Sequence, residues 1–306
     1  MDSHSATNDQ EIIQDFQPLF RVYKDGKIER FMPFTTVPPS TDPETGVQSK
    51  DITIDPKTAA AVRVFLPKSG TTDSGSSPKL PLLVYFHGGA FSIQSAFSTA
   101  YHKYVGNLAG EAKAIAVSVD YRLAPENPIP ACYDDCWAAI QWVFSHAGGT
   151  GPDPWLNEFV DFRRVILAGD SAGANLAHSM VVKLGSGHVA GLAVIHPFFG
   201  NGEPDKLWDY LCSEPTGAND PRLNPMAHPD MLASLGCRKV LVCIAEKDFL
   251  LARGKSYIEA LKKNGWTGEL EVEMTEGEGH CFHLFDSGCE KAGLLMKRVA
   301  QFLNSV

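Results

Sequence analysis

The serine at position 171 lies in the sequence setting that a nucleophilic side chain requires. The motif Gly169-Asp-Ser171-Ala-Gly173 directly follows the apolar run 165–168 and precedes a helical pattern over 174–184. A sharp turn between strand and helix projects the hydroxyl, and glycines two positions away on either side leave room for it. The helix N-terminus also directs backbone N–H groups at developing negative charge. The spacing predicts that Ser171 is a nucleophile; the alternative is a glycine-rich turn that serves only close packing.

An acid and a histidine follow Ser171 along the chain. The apolar segment 240–245 and the later segment 269–274 are predicted strands, and Asp248 follows the first whereas His280 follows the second. The order serine, acid, histidine is one of the known chain orders of a catalytic triad. We therefore expect His280 to remove the Ser171 proton and Asp248 to orient the imidazole.

Two neighbouring residues offer alternatives for these roles. Glu246 could replace Asp248, although its position nearer the strand favours supporting the loop. His283 could replace His280, although Gly279 suits a loop that brings His280 into the site. No metal or other cofactor is predicted, because the remaining histidines considered lack metal spacing: His102, His146, His178, His196 and His228.

A glycine pair upstream could stabilise an oxyanion. His87-Gly88-Gly89-Ala90 follows the apolar run 82–86. Glycines there allow the Gly88 and Gly89 N–H groups to approach a substrate, and the Ala172 N–H next to Ser171 supplies a third donor. His87 precedes Ser171 in the chain, which favours a role in supporting the loop over catalysis. The alternative for the glycine pair is a simple turn.

The surrounding pattern predicts an α/β fold with a mostly parallel sheet. Short apolar runs without clean alternation are typical of strands buried on both faces, and apolar residues at helical spacing occur between them. Strands that alternate with helices give a sheet covered on both sides. The strand runs are 82–86, 114–119, 165–168, 192–195 and 240–245, and the helical patterns lie within 133–143 and 295–302.

The first eighty residues show a different pattern. The segment 21–34 predicts a hairpin with a turn at Asp25-Gly26, and 51–66 predicts another pair of strands, with the core beginning near residue 51. The low-complexity stretch 69–77 is typical of a flexible loop. No internal repeat interrupts residues 1–306, which we interpret as a single domain.

A long segment, 196–236, departs from the alternation of strands and helices. It is rich in Pro, Gly and Asn, yet it contains bulky apolar residues such as Phe198 and Trp208. Connections of this length inside a domain are usually functional lids or binding loops. We expect it to form a small cap together with about residues 1–40, with Phe198 and Trp208 lining a substrate pocket.

Composition narrows the classes of partner. The chain of 306 residues has 27 basic and 36 acidic residues and a formal net charge of -9, which does not favour nucleic acid as a partner. No apolar run is long enough for a membrane-spanning helix. The N-terminus is polar and acidic, unlike a secretory signal or a transit peptide. With seven cysteines and no zinc-type pairing, these features indicate a cytoplasmic protein with reduced thiols whose partner is a small molecule.

Together, these motifs resemble the plant carboxylesterases of the hormone-sensitive-lipase group, which includes 2-hydroxyisoflavanone dehydratases and gibberellin receptors. The resemblance runs from the Arg21–Arg30 stretch to the end, through His87-Gly88-Gly89, Asp120-Tyr-Arg-Leu-Ala-Pro-Glu126, Gly169–Gly173 and His280-Cys-Phe282. It implies an α/β-hydrolase fold with an N-terminal cap, and it assigns the same triad and oxyanion residues. Two departures are Ala90, where many members have a third glycine, and a shorter 196–236 segment.

Three functions are compatible with this resemblance. The favoured one is a serine carboxylesterase that hydrolyses small apolar carboxylic esters through an acyl-enzyme. The first alternative is a dehydratase or cyclase of plant specialised metabolism that uses the same pocket, although Ser171 favours an esterase because some dehydratases of the group have Thr as nucleophile. The second is a non-catalytic hormone receptor, although gibberellin receptors of the group lack the histidine that stands here at 280.

Overall fold

A mixed sheet of eight strands runs through the computed structural model, which describes residues 11–68, 79–214 and 216–306. The predicted loop at 69–77 lies outside the described residues. The strands of this sheet, in spatial order, are β11 (Glu269–Thr275), β10 (Lys239–Ala245), β9 (Gly191–Ile195), β8 (Val160–Asp170), β6 (Leu80–Phe86), β7 (Ile115–Asp120), β5 (Ala60–Leu66) and β4 (Gln48–Asp55). The pairs β4–β5 and β5–β7 are antiparallel and the other five pairs are parallel, so the predicted mostly parallel sheet is confirmed.

Helices cover both faces of this sheet. In β6, Leu82, Val84 and Phe86 enter one buried cluster, whereas Leu83 and Tyr85 enter the other. The first cluster includes residues of the helices Ala131–Phe144, Ala172–Leu184 and Leu251–Lys263, and the second includes residues of Thr99–Ala112 and Glu290–Asn304. The helices are α1 (Thr99–Ala112), α2 (Ala131–Phe144), α3 (Pro154–Phe159), α4 (Ala172–Leu184), α5 (Lys206–Leu211), α6 (Pro229–Ala233), α7 (Leu251–Lys263), α8 (Phe282–Phe285) and α9 (Glu290–Asn304). Continuous apolar runs in the sequence therefore mark strands that contribute to two cores.

The N-terminal region forms a separate three-stranded antiparallel sheet. Its strands are β1 (Ile12–Phe16), β2 (Phe20–Tyr23) and β3 (Ile28–Arg30). The predicted hairpin is the β2–β3 pair, and Gly26 in its turn has φ +86°, a left-handed conformation that glycine adopts without steric cost. The sequence did not predict β1, nor α1 in the main domain.

The segment 196–236 packs against this small sheet. It contains α5, α6 and two single 3-10 turns, Gly217–Asn219 and Pro225–Ala227. The Tyr210 ring in α5 lies 5.1 Å from the Phe16 ring and 6.4 Å from the Phe20 ring, measured between centroids. The two segments expected to form the cap are therefore in contact. No helix within the described ranges is both long and apolar enough to cross a bilayer.

Candidate active site

Ser171 occupies a tight turn between β8 and α4. Its φ and ψ are +52° and −118°, an unusual conformation for a residue with a side chain. A Cβ on Gly173 would lie 2.0 Å from the Phe86 carbonyl oxygen, and one on Gly169 would lie 2.4 Å from the Gly173 carbonyl carbon. Both glycines are therefore needed for the close approach of neighbouring backbone. The strand, turn and helix predicted around Ser171 are all present.

The structure brings Asp248 and His280 beside Ser171. Asp248 follows β10 and His280 follows β11, so both come from the same edge of the sheet as the turn after β8. His280 Nε2 lies 2.9 Å from Ser171 Oγ, and His280 Nδ1 lies 2.9 Å from Asp248 Oδ2. Because a carboxylate only accepts, Nδ1 must donate to Asp248, which leaves Nε2 free to accept the Ser171 proton. The geometry is suited to proton transfer from serine to histidine.

Asp248 is held as a carboxylate. Burial by itself would raise the pKa of Asp248, but the hydrogen bond and charge of His280, together with the Leu250 N–H, lower it below the usual value. The Leu250 N–H donates to the second carboxylate oxygen over 2.7 Å. One oxygen is therefore fixed by the backbone while the other accepts from the imidazole.

The two alternative residues lie elsewhere. Glu246 is exposed, and its Oε2 accepts the Gly277 N–H over 2.6 Å, so it supports the loop that leads to His280. His283 is buried, and burial followed by the charge of His280 lowers its pKa to about 3. Neither nitrogen of His283 has a hydrogen-bond partner within the described part of the chain. Within the described part of the chain, neither residue lines the cavity at Ser171 or forms a hydrogen bond with Ser171.

The predicted role of Gly88 as an oxyanion donor needs correction. The buried Gly88 N–H donates to the Tyr101 hydroxyl over 2.8 Å, so it does not face the cavity in front of Ser171. A Cβ on Gly88 would lie 2.3 Å from Asp170 Oδ2, which explains the glycine by close packing. Gly89 and Ala90 line the cavity instead. Of the two glycines predicted as donors, Gly89 therefore lines the cavity and Gly88 does not.

Three backbone N–H groups remain available near the serine. Gly89 and Ala90 have φ +105° and +52°, and Ala172 begins α4 immediately after Ser171. Among the residues that the structure describes, none of these three N–H groups has a hydrogen-bond partner. Ala90 adopts the left-handed conformation despite its Cβ, so the absence of a third glycine does not prevent the turn.

A buried carboxylate connects the loops around the site. Asp170 accepts hydrogen bonds from the hydroxyls of Tyr85 and Tyr101, each over 2.8 Å, and from the Cys281 thiol over 3.5 Å. Burial raises the pKa of Asp170, and these hydrogen bonds oppose that rise. Tyr101 also receives the Gly88 N–H, so one network joins the glycine loop, the turn at Ser171 and the residue after His280. The sequence motif did not predict this role, although Asp170 lies inside it.

Other buried histidines have structural partners. His87 Nδ1 donates to the Gly88 carbonyl oxygen over 2.7 Å, and its ring stacks on Tyr121 with centroids 4.1 Å apart. This agrees with the prediction that His87 supports the loop. His196 Nδ1 accepts the Cys281 N–H over 3.0 Å. Within the described ranges, no three His, Cys, Asp or Glu side chains are grouped in a way that could hold a metal ion.

A cavity of about 460 Å³ opens in front of Ser171. Both cap segments contribute to its wall, through Leu19 and Met32 from the N-terminal region and Leu207 from α5. Its other apolar lining residues are Pro18, Ala90, Ile93, Ala100, Phe198, Phe249, Leu284 and Phe285. Phe198 thus lies where the sequence predicted. The expectation for Trp208 is wrong: it is fully buried against Phe91, with ring centroids 5.7 Å apart, and its neighbour Leu207 faces the cavity.

The chain is similar in sequence to proteins of known families and in structure to solved esterases. A family profile described as the alpha/beta hydrolase fold matches residues 83–206 and 196–284. The chain is 43% identical to "Probable carboxylesterase 13" of Arabidopsis thaliana, over 96% of this chain and 98% of that protein. It is 41% identical to 2-hydroxyisoflavanone dehydratase of Glycyrrhiza echinata, over 98% and 99%. Among solved structures, an esterase from Pyrobaculum calidifontis superposes with a TM-score of 0.68 and 28% identity, covering 85% of this chain and 84% of that one.

Proposed function

Given that the chain belongs to the α/β-hydrolase fold family and resembles its plant carboxylesterases, we propose that it is a serine carboxylesterase. The nucleophile is Ser171, the general base is His280 and the acid that orients the base is Asp248. The observation that carries this proposal is the unbroken pair of 2.9 Å contacts from Ser171 through His280 to Asp248. The same three residues follow three strands that end at one edge of the sheet.

The geometry supports a two-step reaction. Ser171 Oγ attacks the ester carbonyl carbon while its proton passes to His280 Nε2, and the carbonyl oxygen becomes an oxyanion. The N–H groups of Gly89, Ala90 and Ala172 stabilise that charge. The carbon–oxygen bond to the alcohol breaks as Nε2 returns the proton to the leaving oxygen. Water then attacks the acyl-enzyme with its proton taken by Nε2, and the acid leaves as Ser171 regains its proton.

The cavity favours small, largely apolar esters. Its wall is built mostly from aliphatic and aromatic side chains, and its volume of about 460 Å³ lies within the usual range for small-molecule sites. Apolar surface of this kind binds apolar groups by removing them from water. We infer that residues 11–40 and 196–236 act as a cap within a single domain, since Leu19, Met32 and Leu207 all reach the cavity. Residues 1–10 of the predicted cap lie outside the described part of the chain.

A dehydratase function is the second candidate. It is favoured by the 41% identity to a plant protein of that name over nearly the full length of both chains. A dehydratase would use His280 to move a proton without forming an acyl-enzyme. Ser171 in contact with His280 favours the esterase, because a serine so activated is equipped for covalent attack.

Replacing Ser171 by alanine tests the proposal. With p-nitrophenyl esters of increasing acyl length, Ser171→Ala should lower kcat by about 10⁴ to 10⁶, as loss of a triad member commonly does. A fluorophosphonate probe should label Ser171 in the wild type, as mapped by mass spectrometry, and should not label the variant. Ser256→Ala, an exposed position on α7, is the matched control and should retain both properties. Turnover by Ser171→Ala within about tenfold of wild type would contradict the covalent mechanism.

The cellular compartment is a separate proposal. We infer a cytoplasmic location because all seven cysteines are free thiols in the structure, and six of them are buried. Free thiols persist in a reducing compartment. A fusion of the chain to a fluorescent protein should show diffuse cytoplasmic signal in plant cells. Signal confined to chloroplasts or mitochondria would overturn this assignment.

A further inference from the structure

One polar side chain in the cavity wall is not used by the proposed mechanism. Gln94 lines the same cavity as Ser171 and His280. Other polar groups in the wall already form hydrogen bonds within the protein. The Tyr101 hydroxyl is hydrogen-bonded to Gly88 and Asp170, and the Cys281 thiol is hydrogen-bonded to Asp170. Among the described residues, by contrast, the Gln94 carboxamide has no hydrogen-bond partner. An amide without a partner in a mostly apolar wall is a feature that requires a physical reason.

The carbonyl oxygen of Gln94 is also withdrawn from solvent. Gln94 Oε1 is buried and unpaired. Burial of a polar atom without a partner costs free energy, and removal of the amide would relieve that cost. A ligand that donates a hydrogen bond to this oxygen would satisfy it. The two ends of the carboxamide can exchange by rotation, so the side chain can present an acceptor or a donor to the cavity.

The backbone fixes Gln94 in an unfavourable conformation. Its φ is +77°, in the left-handed region that residues with a side chain rarely adopt. Hydrogen bonds hold both sides of it: the Ile93 N–H donates to Gly89 O over 2.9 Å, and the Ala96 N–H donates to Asp120 Oδ1 over 2.9 Å. Asp120 begins the Asp120–Glu126 motif noted in the sequence. Strained residues that the surroundings hold in place concentrate at binding sites.

We infer that Gln94 determines specificity by recognising a hydroxyl group on the otherwise apolar substrate. This inference rests on the proposed esterase function and narrows its substrate class to esters whose acyl or alcohol part bears a hydroxyl. The apolar wall binds the hydrocarbon part, and Gln94 Oε1 accepts a hydrogen bond from the substrate hydroxyl. A site with a buried group built to pair with a substrate hydroxyl discriminates strongly against the analogue that lacks it, because the buried group then stays unpaired.

Matched substrate pairs test this inference on the acyl and alcohol sides separately. The acyl set is p-nitrophenyl hexanoate beside its 3-hydroxy and 6-hydroxy derivatives. The alcohol set is 1-naphthyl acetate beside its monohydroxylated analogues. In at least one set, the wild type should prefer a hydroxylated ester over its parent by about tenfold or more in kcat/KM. Gln94→Met, which keeps the length of the side chain, should abolish that preference, so that the ratio of kcat/KM for the hydroxylated ester to that for its parent falls to about one.

A control variant separates recognition from a general change of the cavity. Leu284→Met alters another lining residue without adding or removing an amide, so it should affect both members of a pair equally. A wild type without the tenfold preference, or a Gln94→Met variant that keeps it, would overturn the inference. In either case, normal hydrolysis of the parent esters would leave the esterase proposal standing. If the wild type hydrolyses no ester, both proposals fail.

Discussion

Acidification should destabilise the fold steeply between about pH 6.5 and pH 5, because three histidines are fully buried as neutral imidazoles. Burial lowers the pKa of His87 to about 4 and that of His178 to about 3. For His283, burial and the charge of His280 lower it to about 3. An unfolded chain binds these protons near the ordinary value of 6.5. Below that value the unfolded state therefore holds more protons than the folded state, and stability falls as the pH falls.

The magnitude follows from these pKa values. Each histidine lowers the free energy of unfolding by about 1.4 kcal/mol for each pH unit below 6.5, until the pH reaches its pKa in the folded state. At about pH 5 this amounts to about 2 kcal/mol for each residue and about 6 kcal/mol for the three, compared with a typical total stability of about 5–15 kcal/mol. Burial also lowers the pKa of His196, which acts in the same sense as the other three, whereas the raised pKa of Asp170 acts in the opposite sense, because the folded state takes up that proton more readily. The lowered pKa of Asp248 adds to the loss only below this window.

Urea unfolding at about pH 7.5 and pH 5 measures this difference directly. His283→Phe is the most informative variant, because neither nitrogen of His283 has a partner within the described chain that would be lost. This variant should reduce the pH-dependent decrease in the free energy of unfolding by about 2 kcal/mol. His188→Phe should leave that decrease unchanged, since His188 is exposed in the folded state. If the free energy of unfolding of the wild type falls by less than about 1 kcal/mol between the two pH values, the reasoning is refuted. An identical fall in His283→Phe and in the wild type would refute it as well.

Three further predictions follow from the site. Asp248→Asn should lower kcat by about 10⁴ because it changes the imidazole tautomer, whereas Glu246→Gln should stay within about tenfold; the reverse order in p-nitrophenyl acetate assays would exchange their roles. Leu207→Ala should shift the preferred acyl length, whereas Trp208→Ala should lower the melting temperature and keep the profile; a shifted profile in Trp208→Ala would restore its predicted pocket role. Gly173→Ala should cost about 1–3 kcal/mol in stability and also prevent fluorophosphonate labelling, since its Cβ would meet a backbone oxygen; wild-type labelling would contradict the need for this glycine.

Local patterns in the sequence were sufficient to predict that Ser171, Asp248 and His280 lie close together. The turn at Ser171 depends on a buried strand, two glycines and the start of a helix. All of these can be predicted from consecutive residues. Asp248 and His280 were found because each follows a strand, and parallel strands end at a common edge. The hairpin around Gly26 was equally local. These features need no knowledge of how distant elements pack.

The direction of the side chains on α5 could not be predicted from the local sequence in the same way. Successive residues on a helix point about 100° apart, so the rotation of α5 decides whether Trp208 or Leu207 faces the cavity. That rotation is set by packing of Trp208 against Phe91 and of Tyr210 against Phe16, contacts between segments far apart in sequence. The Gly88 donor was misplaced for a similar reason, because its partner Tyr101 belongs to α1, a helix that the sequence analysis did not predict.

The contact between the two cap segments also orders events during synthesis. Phe20 and Tyr210 are 190 residues apart. At the usual rate of synthesis, about 10–40 s separate their emergence from the ribosome. The contact between the N-terminal sheet and α5 therefore cannot form during that time. The N-terminal sheet can therefore complete its packing only after α5 has been made, while β10 and β11 still have to follow. The part of the cavity wall formed by Leu19, Met32 and Leu207 thus comes together from two segments that are made far apart in time.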